Sequence, residues 1–266
     1  QKAEGEWSQK LNDYHTELIE LIAESDEKLL EIFFENGELN EEELRSGLHQ
    51  ALKSGGLIPV FCVSGENNVG VSRMMDILAK YAPCAGDFEQ VIGTKPGSKE
   101  QVTHGSSEND PVSARVFKTI SEEHIGEMSF FRVYSGKVNA GDDLSNTKRN
   151  SSEKMRQIYF MSGNKRTDAS QLIAGDIGAA LKMKNTHTGD TLCNSKNLIL
   201  LSEIKYPTSN MSFAVKPKSR GDEEKIATGL SVLHEEDPTF LYRVDPELKQ
   251  TIISGQGELH IDLALK

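Results

Sequence analysis

The chain is 266 residues long, with 41 acidic against 30 basic residues, a formal charge of −11 and a pI near 5.2. That length holds one large domain or two to three small ones with real apolar cores, and the charge lacks the global basic footprint of free nucleic-acid binders. No apolar run is long enough to span a bilayer, no apolar leader segment follows Gln1, and Cys62, Cys84 and Cys193 make neither a disulfide framework nor a C-x-x-C knuckle. The expectation is a cytoplasmic chain with reduced thiols that engages neither a membrane nor DNA.

From Trp7 to about Phe34 the residues Leu11, Leu18, Leu21, Ile22, Leu29 and Leu30 recur near helical spacing. Ser25-Asp26-Glu27 interrupts or re-caps this run. Asn40-Glu41-Glu42-Glu43 is a helix start, with an N-cap Asn, a Glu at the third helical position and negative charge in the first turn. That helix passes through Leu44, Leu48 and Leu52 and stops at Gly55-Gly56. Leu57 to Val63 reads as a buried strand with Pro59 near its start. Ser64 to Gly70 reads as a loop, and Val71 to Tyr81 as an amphipathic helix ended by Pro83. Strand, polar loop and helix in that order make an α/β unit. Residues 85–109 are rich in Gly, Ser and Lys and read as a linker or extended arm.

Beyond Pro111 the pattern changes to short alternating runs at Val112 to Ile120, Met128 to Ser135, Asp143 to Asn146, Lys154 to Met161 and Ile177 to Leu181. Turns at Gly141-Asp142, Gly175-Asp176 and Gly189-Asp190 punctuate them. Short strands at this spacing indicate a β-barrel or a sandwich. Past Leu201 the order is a strand at Met211 to Lys216, a helix at Asp222 to Leu233, strands at Phe240 to Val244 and Gln250 to Ser254, and a helix from Glu258 to Leu265. This β-α-β-β-α order suggests a split plait without its final strand, which leaves a sheet edge unpaired. A start at Gln1 and an end at Leu265-Lys266 suggest an excised piece. No G-x-x-x-x-G-K-[ST] phosphate loop occurs, and the scattered histidines and His234-Glu235-Glu236-Asp237 make no metal motif.

Four segments occur in one order: Ile58-Pro59-Val60-Phe61-Cys62, Phe131-Arg132-Val133-Tyr134-Ser135-Gly136, Glu235-Glu236-Asp237-Pro238-Thr239-Phe240, and Gln250 to Gly255 running into Gln256-Gly257-Glu258-Leu259-His260. In that order they resemble the elongation factor G group of translational GTPases, over nearly everything after Gly55. The resemblance implies a multidomain α/β plus β chain. Its parts would be the remnant of an α/β GTP-binding domain with a helical insert at 1–84, a linker at 85–109, a translation-factor β-barrel (domain II) at 110–202, and a truncated ferredoxin-like α+β domain (domain III) at 203–266.

The resemblance also implies roles. Ser64, Gly65 and Glu66 would form the loop that meets the guanine base, with Gly65 standing where the family motif carries Ala. Asp237, Thr239 and His260 would face the GTPase switch region and line the fusidane antibiotic pocket. Lys148, Arg149, Lys154, Arg156, Lys165 and Arg166 form a locally basic stretch that would meet rRNA phosphates; a solvated face is the alternative. The full-length parent would bind GTP and Mg²⁺, with ribosomal RNA and ribosomal proteins as partners, and would promote tRNA and mRNA translocation. The present piece, without the phosphate loop, would be inactive alone and need no cofactor. A tetracycline-type ribosomal protection or recycling paralogue, and a ribosome-binding factor without GTPase activity, are the competing readings.

Overall fold

In the computed structural model residues 5–122, 126–217, 219 and 221–266 are described, and they divide into two units, Gln1–Asp87 and Phe88–Lys266.

In the first unit, helix α1 (Glu6–Ala23) ends where the acid-rich run is re-capped, and α2 (Glu27–Asn36) begins with the Asp26 carboxylate accepting from the amides of Lys28 and Leu29. Helix α3 (Glu41–Ser54) carries the expected capping box: Asn40 Oδ1 accepts from Glu43 N at 2.9 Å, and Glu43 Oε2 accepts from Asn40 N at 2.8 Å. Ile22, Ala23 and Leu39 are buried among Leu29, Phe33, Leu44 and Leu48. Gly47 lets α3 approach closely, since a Cβ there would stand 2.5 Å from Ile22 Cγ2. Helix α4 (Val71–Tyr81) completes the unit, and His49 of α3 ties its end by a bond to the Tyr81 carbonyl.

The buried strand expected at Leu57 to Val63 is a correction. The segment forms no strand among the described residues, and Ile58 and Val60 are 82% and 87% exposed. Its apolar run is that of a central parallel strand, which needs neighbours on both edges and cover on both faces. The described residues supply neither.

The expected linker at 85–109, which begins at the end of the first unit and runs into the second, is also corrected. After a 3₁₀ turn at Ala85–Asp87, strands β1 (Gln90–Thr94) and β2 (Gln101–Gly105) form an antiparallel hairpin. Val91 is buried there with Cys193, Ile199 and Leu201. Polar alternation and a partner strand more than a hundred residues away hid the hairpin from local pattern reading.

The barrel strands are β3 (Ser113–Glu122), β4 (Gly126–Ser135), β5 (Lys137–Asn139), β6 (Asp143–Asn146), β7 (Ser151–Lys154), β8 (Ile158–Ser162), β9 (Lys165–Ala169), β10 (Gln171–Ile173), β11 (Ile177–Leu181) and β12 (Thr191–Cys193). The expected single strand Lys154 to Met161 is thus two, broken at Met155–Gln157. Eight of them pair antiparallel in the order β7-β6-β12-β3-β4-β11-β8-β9, and β10 pairs with β5. They wrap one core in which Val116, Phe131, Val133, Leu144, Met155, Ile158, Leu172 and Leu192 are buried. A register shift between Val116 and Lys118 inserts Phe117 as an extra residue, which returns Thr119 to the buried side. A short strand β13 (Leu200–Leu201) pairs with β1.

The three Gly-Asp turns share one geometry. Gly141, Gly175 and Gly189 take φ of 94°, 99° and 91°, the left-handed third position of a type II turn. In each, the Asp amide donates to the carbonyl three residues earlier, and the Asp carboxylate accepts that residue's amide: Asn139, Ile173 and His187 at 2.8, 2.9 and 3.0 Å.

The last elements are β14 (Met211–Val215), α5 (Glu223–Glu236), β15 (Leu241–Asp245), β16 (Gln250–Gly255) and α6 (Glu258–Ala264). The strands order as β14-β16-β15, all antiparallel, as in the expected plait. Leu230 of α5, Ile261 of α6, Phe240 and Ile253 form its core.

Candidate functional site

The most organised cluster lies where α5, the β16–α6 turn and the barrel meet. Helix α5 ends at Asp237, whose Oδ1 accepts from the amide and the hydroxyl of Thr239 at 2.8 and 2.6 Å. Its Oδ2 faces His260 Nε2 at 3.0 Å. The amide of Gln256 donates to His260 Nδ1 at 3.0 Å. A backbone N–H can only donate, so Nδ1 is the unprotonated acceptor and Nε2 carries the hydrogen given to Asp237. The imidazole is therefore held in one neutral tautomer. Gly255 makes room for it, because a Cβ there would stand 2.8 Å from Nδ1. The ring also meets Phe240 edge-on, with centroids 6.2 Å apart. Burial pushes the Asp237 carboxyl up, but the Thr239 hydroxyl and amide, with His260, outweigh it and hold the group below its ordinary value. Asp237, Thr239 and His260, expected together, are together. Lys118, Ile120, Glu236, Leu263, Asp237 and His260 line an open cleft of about 320 Å³ beside them.

Two residues that pattern reading missed lock this cluster to the barrel. Glu235 takes the ring Nδ1–H of His187 at 2.7 Å and the amide of Thr188 at 2.8 Å. Glu236 takes the amide of Ser121, on β3, at 2.7 Å. Because carboxylates only accept, both glutamates at the end of α5 are committed to the barrel. His187 and Glu235 are 48 residues apart, so no local spacing marks the pair.

Ser64, Gly65 and Glu66 form a tight loop closed by two backbone bonds of 3.0 Å between Ser64 and Val69. Ser64 Oγ accepts from the amide and the side-chain amide of Asn67 at 3.2 and 3.1 Å. Asn68, at φ 51°, donates to the Gly65 carbonyl. The amides of Gly65 and Glu66 make no internal hydrogen bond and both residues are exposed, so the loop presents two free donors.

The six basic residues have different surroundings. Lys148 Nζ lies 3.4 Å from Glu203, and Arg149 Nε lies 3.2 Å from the fully buried Asp190. Lys165 and Arg166 sit on the exposed hairpin β8–β9. Lys154 and Arg156 share a cleft with Lys182 and Lys184, which lie too far along the chain to join the sequence cluster. Among the described residues no group of three or more His, Cys, Asp or Glu is placed to hold a metal ion, and no helix is long and apolar enough to cross a membrane.

Comparison with known proteins bears on the same regions. The family model described as "Elongation factor G domain 2" matches residues 111–195, and that described as "Elongation Factor G, domain III" matches residues 206–266. Among solved structures, the crystal structure of a Thermus thermophilus protein is similar at 26% identity with a TM-score of 0.79. The match covers 98% of this chain and 37% of that one, so this chain spans little more than a third of that relative's length.

Proposed function

We propose that this chain, which is elongation factor G-like through its second and third domains, serves as the coupling part of a ribosome-dependent GTPase that promotes movement of tRNA and mRNA during protein synthesis. The observation that carries the reading is the joint at the end of α5. There Glu235 and Glu236 fix the third domain to the barrel, while the next residue, Asp237, orients Thr239 and His260 at the cleft. A loop held this way from both sides transmits a push as a rigid body, because its polar groups already have partners. Nucleotide state can act on such a part only through contacts that differ between two arrangements. Asp237 and His260 line the open cleft on this face, where such contacts would form.

For the nucleotide itself, the free amides of Gly65 and Glu66 fit a loop that meets the oxygen of a guanine base. The sequence holds no G-x-x-x-x-G-K-[ST] loop, so phosphate and Mg²⁺ ligands would come from other parts of the full-length protein. When bound, GTP would supply the hydrolysable phosphate. The residues of this chain would orient the base and relay the change.

Ribosome association tests the reading. The chain should sediment with purified ribosomes, and Glu235→Ala should weaken that association by releasing the joint. Failure of the unaltered chain to sediment at low salt would refute it.

A further inference from the structure

The hairpin β1–β2 lies on the barrel by one face. Side chains alternate along a strand, so Val91 and Gly93 of β1 share that face with their partners in register, His104 and Val102 of β2. Gly93 comes so close that a Cβ there would stand 2.5 Å from Ile199 Cγ1. Val91 and Val102 pack with Cys193, Ile199, Leu201 and Tyr134. The fourth position of this apolar face is a histidine. His104 is 7% exposed, and its Nδ1 is buried without a hydrogen-bond partner. The hairpin that carries it is lightly held: on its other edge β1 pairs with β13, which is two residues long, and a two-stranded hairpin is marginal by itself.

A ring in this place suits its neutral form, because a buried charge needs a partner. The surrounding groups supply little. From the turn after β2, the Asp110 carboxylate faces the ring, but it already accepts the Ser107 amide at 2.9 Å and packs against Gly105. From β12, burial pushes the Cys193 thiol up and keeps it uncharged. From β3 and β4, Arg115 and Arg132 lie over the Tyr134 ring at 5.5 and 5.2 Å, and both carry the sign that an imidazolium would have. From β1, the residue opposite His104 is the apolar Val91. The ion pair of Lys95 with Glu100, at 3.6 Å, stands at the hairpin's tip. Burial outweighs the attraction of Asp110 and holds His104 below its ordinary value of 6.5.

We propose that His104 is an acid-sensitive latch on this hairpin: with the ring neutral β1–β2 stays closed on the barrel, and protonation of the ring opens it. An open hairpin exposes the imidazole to water, where it takes up a proton at the ordinary value of 6.5, whereas the closed one resists the proton. Closure is therefore strongest above that value. It weakens as the pH falls below it and levels off at the lower folded-state value. Strand β1 begins just past Asp87, the last residue of the first unit, so opening frees the stretch of chain that joins the two units.

Native-state amide hydrogen exchange of the whole chain, followed by NMR from about pH 7.5 to about pH 5.5 and corrected for intrinsic rates, tests the latch. The opening constant of the β1–β2 ladder amides should rise by up to about tenfold over that range, while that of the β4 amides inside the barrel changes by less than about twofold. His104→Leu keeps the face apolar and should abolish the rise. His104→Gln, polar but unable to titrate, should open more readily at every pH and also show no rise, which separates charge from polarity. Asp110→Asn removes the attraction that offsets burial, so it should keep or enlarge the rise. Ladder and barrel amides that open in step in the unaltered chain would overturn the proposal. So would an undiminished rise in either His104 variant, or a smaller rise in Asp110→Asn.

Discussion

Removing the carboxylate from each of the three Gly-Asp turns should destabilise the barrel in a fixed order, Asp190→Ala more than Asp142→Ala more than Asp176→Ala. The order follows from the bonds each carboxylate accepts. Asp176 takes one amide, that of Ile173 at 2.9 Å. Asp142 takes the Asn139 amide at 2.8 Å and its side-chain nitrogen at 3.0 Å. Asp190 takes three: Asn146 Nδ2 at 2.9 Å, His187 N at 3.0 Å and Arg149 Nε at 3.2 Å. For the half-exposed Asp176 and Asp142, water replaces part of each lost bond, leaving about 1 kcal/mol and about 1–2 kcal/mol. Asp190 is fully buried, so three bonds to a charged acceptor come to about 3–4 kcal/mol. Its Oδ1 is buried without a partner, and removing that group returns about 1 kcal/mol. The net is about 2–3 kcal/mol, or a fall in Tm of about 5–10 °C for a unit of this size. Thermal unfolding followed by circular dichroism in the β-sheet band reads all three variants. Equal shifts, or a smaller loss for Asp190→Ala than for Asp176→Ala, would refute the argument that these carboxylates hold the turns.

The remaining expectations concern the third domain and two glycines. Imidazole nitrogen NMR at neutral pH should find His260 with Nδ1 unprotonated and Nε2 protonated; the opposite tautomer would contradict the Gln256 bond. His260→Ala should lower the stability of this domain by about 1–3 kcal/mol, since it strips a partner from both Asp237 and Gln256. The depressed folded-state value of Asp237 means that its contribution is fully present above the ordinary carboxylate range and lost as pH falls through the lower folded value. A carbon-detected titration placing Asp237 at or above 3.8 would reverse that sign. Gly65→Ala should be neutral, because a Cβ there meets nothing within 4 Å, whereas Gly93→Ala would press on the Leu200 carbonyl at 2.6 Å and loosen the β1–β13 seam. Amide exchange at Gly93 and Leu201 would show the difference.

What the sequence made legible was local. The α1–α2 break at Asp26, the capping box at Asn40 and the Gly-Asp turns each rest on side chains within four residues of the backbone group they serve. That Asp237, Thr239 and His260 lie together follows from the resemblance carried by two short motifs, and the structure shows them in contact. What escaped reading depends on distant partners. The β1–β2 hairpin needs Leu200–Leu201 to close its edge, and Glu235 gains meaning only beside His187. Lys182 and Lys184 join Lys154 and Arg156 only once β11 and β7 have folded onto one core. Leu57 to Val63 failed in the opposite way, since its apolar run signals burial that the described residues do not provide.

GTP hydrolysis by the full-length protein carrying this chain, measured with and without ribosomes, tests the central claim most directly. The account predicts turnover that ribosomes stimulate strongly and that Glu235→Ala diminishes. Turnover unchanged by ribosomes, or no turnover from a protein that still binds them, would contradict it.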